Sequence, residues 1–170
     1  MSSTAGILTL CFVLSMTLCT LMATPVASKC KLEAMLRQTK HEFENLNTTL
    51  GLNVPHHYKP EVIPYFVINN SLSHHQQNKS AMCGVIYMKE AIWKLQERHT
   101  NNQILKSLNE SISHYIIGCA KSHLAKCNHN PDPKIPESHF ERKKWTRNFL
   151  DSSVEFIHHL LNFLKTKTHQ

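Results

Sequence analysis

Between Phe140 and Leu164, apolar residues return at helical spacing over an unusually wide arc. Leu150, Val154, Ile157, Leu161 and Leu164 recur at steps of four and three, one stripe of a helix. Phe149, Phe156, Leu160 and Phe163 widen that stripe to about half the circumference, with Trp145 at its edge. Lys144, Arg147, Asp151, Glu155, His158 and His159 fall on the other side. A helix apolar over so much of its surface needs two or more neighbours to cover it. The rest of the chain must supply them.

Three further stretches carry the helical period. From about 31 to 49, Leu32, Met35, Leu36, Thr39, Phe43, Leu46 and Leu50 share one face, opposite a stripe of Glu33, Arg37, Lys40 and Glu44. Glu33 and Arg37 form an i,i+4 pair in the favourable order. Gly51 closes this first helix, glycine being the usual residue past a C-terminus. A second helix begins near Met82 and runs to about Arg98, with Val85, Ile86, Met88, Ile92, Trp93 and Leu95 on its stripe. After the short polar break His99–Asn102, a third carries Ile104, Leu105, Leu108, Ile112, Tyr115, Ile116 and Cys119, ending near Gly118. Ser138 is placed to cap the fourth helix, with Glu141 three residues on completing a capping box.

The connections decide the topology. Residues 51–80 hold Pro55, Pro60 and Pro64 and a polar run, His74–Ser80, without a period. Within them Val62–Ile68 is apolar and β-prone, suited to a short strand or to lying over the bundle. Residues 120–138 hold Pro131, Pro133 and Pro136. The order is thus helix, long loop, helix, short loop, helix, long loop, helix. The short loop makes the second and third helices antiparallel. Two long crossovers let the first run parallel to the second and the third parallel to the fourth. The expected fold is an all-α, up-up-down-down four-helix bundle.

Residues 1–28 read as a signal peptide, and 29–170 as the folded domain. Ile7–Met22 is almost wholly apolar, and Thr24–Ser28 offers small residues at a cleavage site, too short and wrongly flanked for a membrane span. Removing them leaves Cys30, Cys83, Cys119 and Cys127, an even number suited to two disulfides in an oxidising compartment. Sequons at Asn47, Asn69, Asn78 and Asn109 agree with export. The formal charge of +7 lies wholly outside residues 1–28. Such a charge suits a negatively charged receptor face or acidic glycosaminoglycans. Scattered Lys and Arg with no accompanying motif argue against nucleic acid.

Little in the chain suggests catalysis or a cofactor. The pairs His56–His57, His74–His75 and His158–His159 stand out among thirteen histidines. Adjacent residues on a helix point about 100° apart, so the last pair cannot both face one ion. There is no His-x-x-x-His with a nearby Glu, no Cys-x-x-Cys and no Gly-rich phosphate loop. Neither an enzyme nor a metal protein is expected. A membrane-active helical protein is a second class, because the last helix is amphipathic and followed by Lys165 and Lys167. Asp151 and Glu155 on its polar face oppose that reading, and membrane insertion is not expected.

The pattern resembles the short-chain haematopoietic cytokines. Met82-Cys83 heading the second helix, Ser113-His114-Tyr115 before Cys119 and Cys127, and Phe140-Glu-Arg-Lys-Lys running into Asn148-Phe149-Leu150-Asp151 are similar to the granulocyte-macrophage colony-stimulating factor branch. Cys30 just before the first helix is similar to its placement in interleukin-three. Two other branches share features. Cys83-Gly84 with the Cys119/Cys127 spacing resembles the dimeric ligands of receptor tyrosine kinases, such as stem cell factor. Phe149–Val154 with Ile157 resembles the last helix of the interleukin-two/interleukin-fifteen branch. The resemblance implies a secreted ligand that brings together receptor chains on leukocytes or their progenitors. It also implies that an acidic residue of the first helix, Glu33 or Glu42, engages one receptor chain. Arg37 would stand with Glu33, while Lys144, Arg147 and Asp151 of the last helix would meet another chain. In the expected topology the start of the first helix lies beside the end of the third, so the expected disulfides are Cys30–Cys119 and Cys83–Cys127.

Overall fold

The computed structural model describes residues 30–52 and 60–167. The expected signal segment 1–28 and the His56–His57 pair lie outside the described residues. Among the described residues there are four helices: α1 (Leu32–Thr49), α2 (His74–Arg98), α3 (103–123) and α4 (His139–Lys167). A 3-10 turn, Pro64–Phe66, lies between α1 and α2, and no strand occurs among the described residues. All four helices belong to one unit, Lys31–Gln170.

In α1 the expected stripe is the buried one: Leu32, Leu36, Thr39, Phe43 and Leu46 face inward, with Met35 and Leu50 half-buried. Gly51 follows with φ 55°, the left-handed conformation that an L side chain resists. On the polar face, the i,i+4 ion pair that closes is Lys40–Glu44 at 3.1 Å, not Glu33–Arg37.

α2 begins eight residues earlier than the apolar period indicates, at His74 rather than Met82. Its start is fixed by capping chemistry. The Gln76 N–H donates to Ser73 Oγ, while the Ser73 N–H donates to Gln76 Oε1, a complete capping box. Asn78 Nδ2 then donates to the His74 carbonyl at 2.8 Å. The stretch Ala81–Val85 is buried all round, so no single stripe marks it. The Val62–Ile68 segment explains part of this cover. It is not a strand: its 3-10 turn drops Phe66 onto Phe156 (centroids 4.8 Å, nearly parallel) and edge-on to Tyr87. Tyr65 stacks on Tyr87 at 5.0 Å. Burying one such aromatic side chain contributes about 2–3 kcal/mol, enough to pin a proline-rich segment against the helices.

α3 passes through Gly118 and ends at His123, beyond its expected end. Its central part, Ser111–Ile116, is a π-helical turn. A π turn advances less than the α-helical 100° per residue, so residues four apart align better than residues three apart. Ile112 and Ile116 stay buried, while Tyr115, expected on the stripe, is 60% exposed. Trp93 of α2 likewise lies outside the core, at 43% exposure.

α4 starts where expected. The Glu141 N–H donates to Ser138 Oγ, but the Glu141 carboxylate pairs with Lys144. Phe149, Leu150, Phe156, Ile157, Leu160, Leu161 and Leu164 are all buried. Val154, Phe163 and Trp145 are half-buried at the edges of the arc. α1 packs against α4 and α3, and α2 against α3 and α4. Tyr87 meets Phe149, a Cβ on Gly84 would strike Phe156, and His74 meets Phe163, so residue numbers fall along α4 as they rise along α2. Those two helices are therefore antiparallel. Across the short α2–α3 turn, Asn109 Nδ2 donates to Gln96 Oε1 at 2.6 Å.

Candidate docking faces

The six residues nominated as receptor contacts fall into two groups that the helices keep apart. On α4, Phe140, Lys144, Arg147, Asp151, Glu155 and His158 follow one another at steps of four and three along the outer line. Neighbouring pairs hold this line in place. Lys144 Nζ sits 4.5 Å over the Phe140 ring and pairs with Glu141 at 3.1 Å. Arg147 Nε donates to Asp151 Oδ2 at 2.8 Å. Asp151 also accepts from Asn47 Nδ2 of α1 at 2.7 Å, so its two oxygens join two helices. Lys144 and Arg147 make the first half of the line basic, and Asp151 and Glu155 make the next part acidic.

On α1 the candidates divide by facing. Glu33 and Glu42 are nine positions apart, which on an α-helix is about 180°. Glu33, half-buried, and Arg37, exposed, lie on the flank that also carries Lys40 and Asn47, but ten to fourteen residues before Asn47, about 15–20 Å along the axis from the bond to Asp151. Glu42 lies on the opposite flank. Its Oε1 accepts from Gln38 Nε2 at 3.1 Å, while its Oε2 is buried and lacks a hydrogen-bond partner. Glu42 and Glu33 therefore point in opposite directions from α1.

The sequons differ in what their amide nitrogens already do. Asn69 is exposed, and its Oδ1 accepts from the Ser71 N–H, which leaves Nδ2 toward solvent. Asn78 is 7% exposed and its Nδ2 is held by His74. Asn47 and Asn109 are half-buried, with Nδ2 donated to Asp151 and Gln96 respectively.

Cys83 and Cys127 are joined, with Cα atoms 5.1 Å apart. Cys30 and Cys119 are each disulfide-bonded as well. Cys83, Cys127 and His129 lie close enough together to suggest a metal site, but the two sulfurs are tied to each other and are not thiolate ligands. The loop that carries Cys127 is fastened again at Asp132, whose carboxylate accepts from Lys134 and Lys94. Those hydrogen bonds pull its pKa down to about 2. Tyr87, buried against Tyr65, has its phenol pushed up to about 12, chiefly by desolvation.

Sequence reasoning missed Asn47 as part of the α1–α4 edge and Phe140 as the first residue of the outer α4 line. Phe140 was findable, four residues before Lys144 on the same line. Asn47 was read only as a sequon, and nothing in the sequence places it against Asp151. No family model, curated protein or solved structure matches the chain. No helix among the described residues is long and apolar enough to cross a membrane.

Proposed function

We propose that this protein is a secreted ligand that draws together cell-surface receptor chains on leukocytes or their progenitors. The observation that supports this most is the joined α1–α4 face. Asp151 ties Arg147 of its own helix to Asn47 of α1, so an ion pair on α4 is ordered against a polar side chain of α1 before any partner arrives. Pre-ordering lowers the entropic cost of binding, and Arg and aromatic residues are the usual energetic anchors of protein interfaces. An ordinary interface takes about 800 Å² from each partner, an area within reach of two adjacent helices. Two disulfides suit an oxidising compartment.

The finer topology in this reading is up-up-down-down. α1 touching α3 and α4, and α2 touching the same two, is the neighbour pattern such a bundle has. The haematopoietic cytokine branch nearest to granulocyte-macrophage colony-stimulating factor and interleukin-three is our choice of class. Glu33 and Arg37 of α1 then meet one receptor chain, and Lys144, Arg147 and Asp151 of α4 meet another. Glu42, on the other flank of α1, belongs to a separate contact. Glycosaminoglycans are an accessory partner class suited to the net charge of +7.

Receptor ectodomains captured from leukocyte membranes with refolded, oxidised protein test this reading. We expect a receptor chain to be retained and to be lost with Arg147→Glu at unchanged melting temperature. Retention of no receptor, together with permeabilisation of liposomes, would replace the reading with a membrane-active one.

A further inference from the structure

A groove of about 640 Å³ runs between the Pro60–Asn70 segment and the flank of α4 that faces it. Its base is apolar, formed by Ile63, Phe66 and Phe156, each less than 10% exposed. Val62 and Val67 stand at its lip, 78% and 49% exposed. Among the described residues, the ionisable ones lining it are Glu61, Glu155 and His159, with neither Lys nor Arg. On a chain with a formal charge of +7 this is a local reversal of sign. Glu61 and Glu155 are the charged carboxylates that line it directly. The Glu155 side chain is 75% exposed, with His159 Nε2 at 3.6 Å.

We propose that this groove binds a basic, aliphatic peptide segment of a protein partner. Lys or Arg side chains of that segment pair with Glu61 and Glu155, and an aliphatic side chain between them covers Val62 and Val67. Burying the valines supplies the apolar part of the affinity, and the carboxylates supply selection for positive charge. On a helical wheel Phe156 at the groove base lies opposite Arg147, while Glu155 sits next to Asp151 on the outer line of α4, so the groove adjoins that line at Glu155.

The test uses the oxidised chain from Lys29 to Gln170 and three blocked peptides, followed by NMR shifts of backbone amides. The basic probe is Lys-Leu-Arg-Leu-Lys. One control replaces its basic residues by Glu, and the other replaces Leu by Ser. The basic probe should shift amides in 61–68 and 155–163, and both controls should bind about fivefold or more weakly. The Glu61→Gln/Glu155→Gln double variant should weaken the basic probe by a similar factor, while Glu44→Gln leaves it unchanged. If that double variant does not fold, the three-peptide comparison on the parent protein decides alone. Equal binding of the acidic peptide, shifts located elsewhere, or no shifts would overturn the proposal. Self-association that perturbs the same amides without peptide would also overturn it, making a second copy the occupant.

Discussion

Asn47 of α1 and Asp151 of α4, 104 residues apart in sequence, are joined by a hydrogen bond of 2.7 Å. The same Asp151 holds Arg147, so one carboxylate organises the polar edge between the two helices. Both residues are partly exposed, which limits what the bond contributes. In unglycosylated protein, a double-mutant cycle of Asn47→Ala and Asp151→Ala should give a coupling of about 0.5–1 kcal/mol by urea denaturation. A coupling near zero would mean the two helices are not tied at this point.

Two glycines on helices should respond in opposite directions. A Cβ on Gly84 would lie 2.4 Å from Phe156 Cζ and 2.7 Å from the Tyr65 carbonyl oxygen, and the carbonyl is backbone that cannot swing aside. Gly84→Ala should destabilise by about 1–3 kcal/mol despite alanine's better helix propensity. Gly118 has nothing within 4 Å of the same position. Gly118→Ala should stabilise by about 0.5–1 kcal/mol. Denaturant midpoints of the two variants check both signs.

A glycan takes the Asn amide nitrogen, so sequon use should follow what that nitrogen does in the fold. Asn69, with Nδ2 toward solvent, should carry a glycan in protein made by a secreting eukaryotic cell. Asn78, buried with Nδ2 on the His74 carbonyl, should not. Glycopeptide mass spectrometry reads both sites. A fully occupied Asn78 would require the first turns of α2 to be open.

Asp132 gives a pH signature for the long α3–α4 connection. Its folded pKa is lowered to about 2 from an ordinary 3.8, first by the hydrogen bond from Lys134 and next by that from Lys94. The stabilisation it contributes is therefore complete above pH 3.8 and is lost as pH falls through about 2. Its carboxyl carbon, followed by NMR, should titrate near 2. A midpoint near 3.8 would mean that Lys94 and Lys134 do not hold the loop.

The parts of the fold written as period were legible, and those written as local chemistry were less so. The buried stripes of α1 and α4 appear in the sequence because each helix has one wet face and one dry one. The start of α2 does not, since Ala81–Val85 is covered on all sides and the turns before it owe their helix to Ser73 and Gln76. Tyr115 has the right spacing for the core but is turned outward by a π turn that no residue pattern announces. Among site residues, the acids and bases of α1 and α4 were recognisable as polar stripes. That Glu33 and Glu42 face opposite ways follows from helical spacing alone. That Asn47 reaches Asp151 depends on tertiary packing, which spacing does not encode.

The most direct test of a receptor ligand is signalling. Refolded protein from Lys29 to Gln170, with both disulfides formed, is applied to blood leukocytes and their progenitors of the source species. Phosphorylation of receptor-associated kinases and of their transcription-factor substrates is then followed over minutes. The account predicts a saturable response that Arg37→Glu or Arg147→Glu reduces by about tenfold or more in potency, the loss of one interface anchor, without lowering the melting temperature. A correctly folded protein that binds no leukocyte or progenitor and triggers no phosphorylation at micromolar concentration would contradict it.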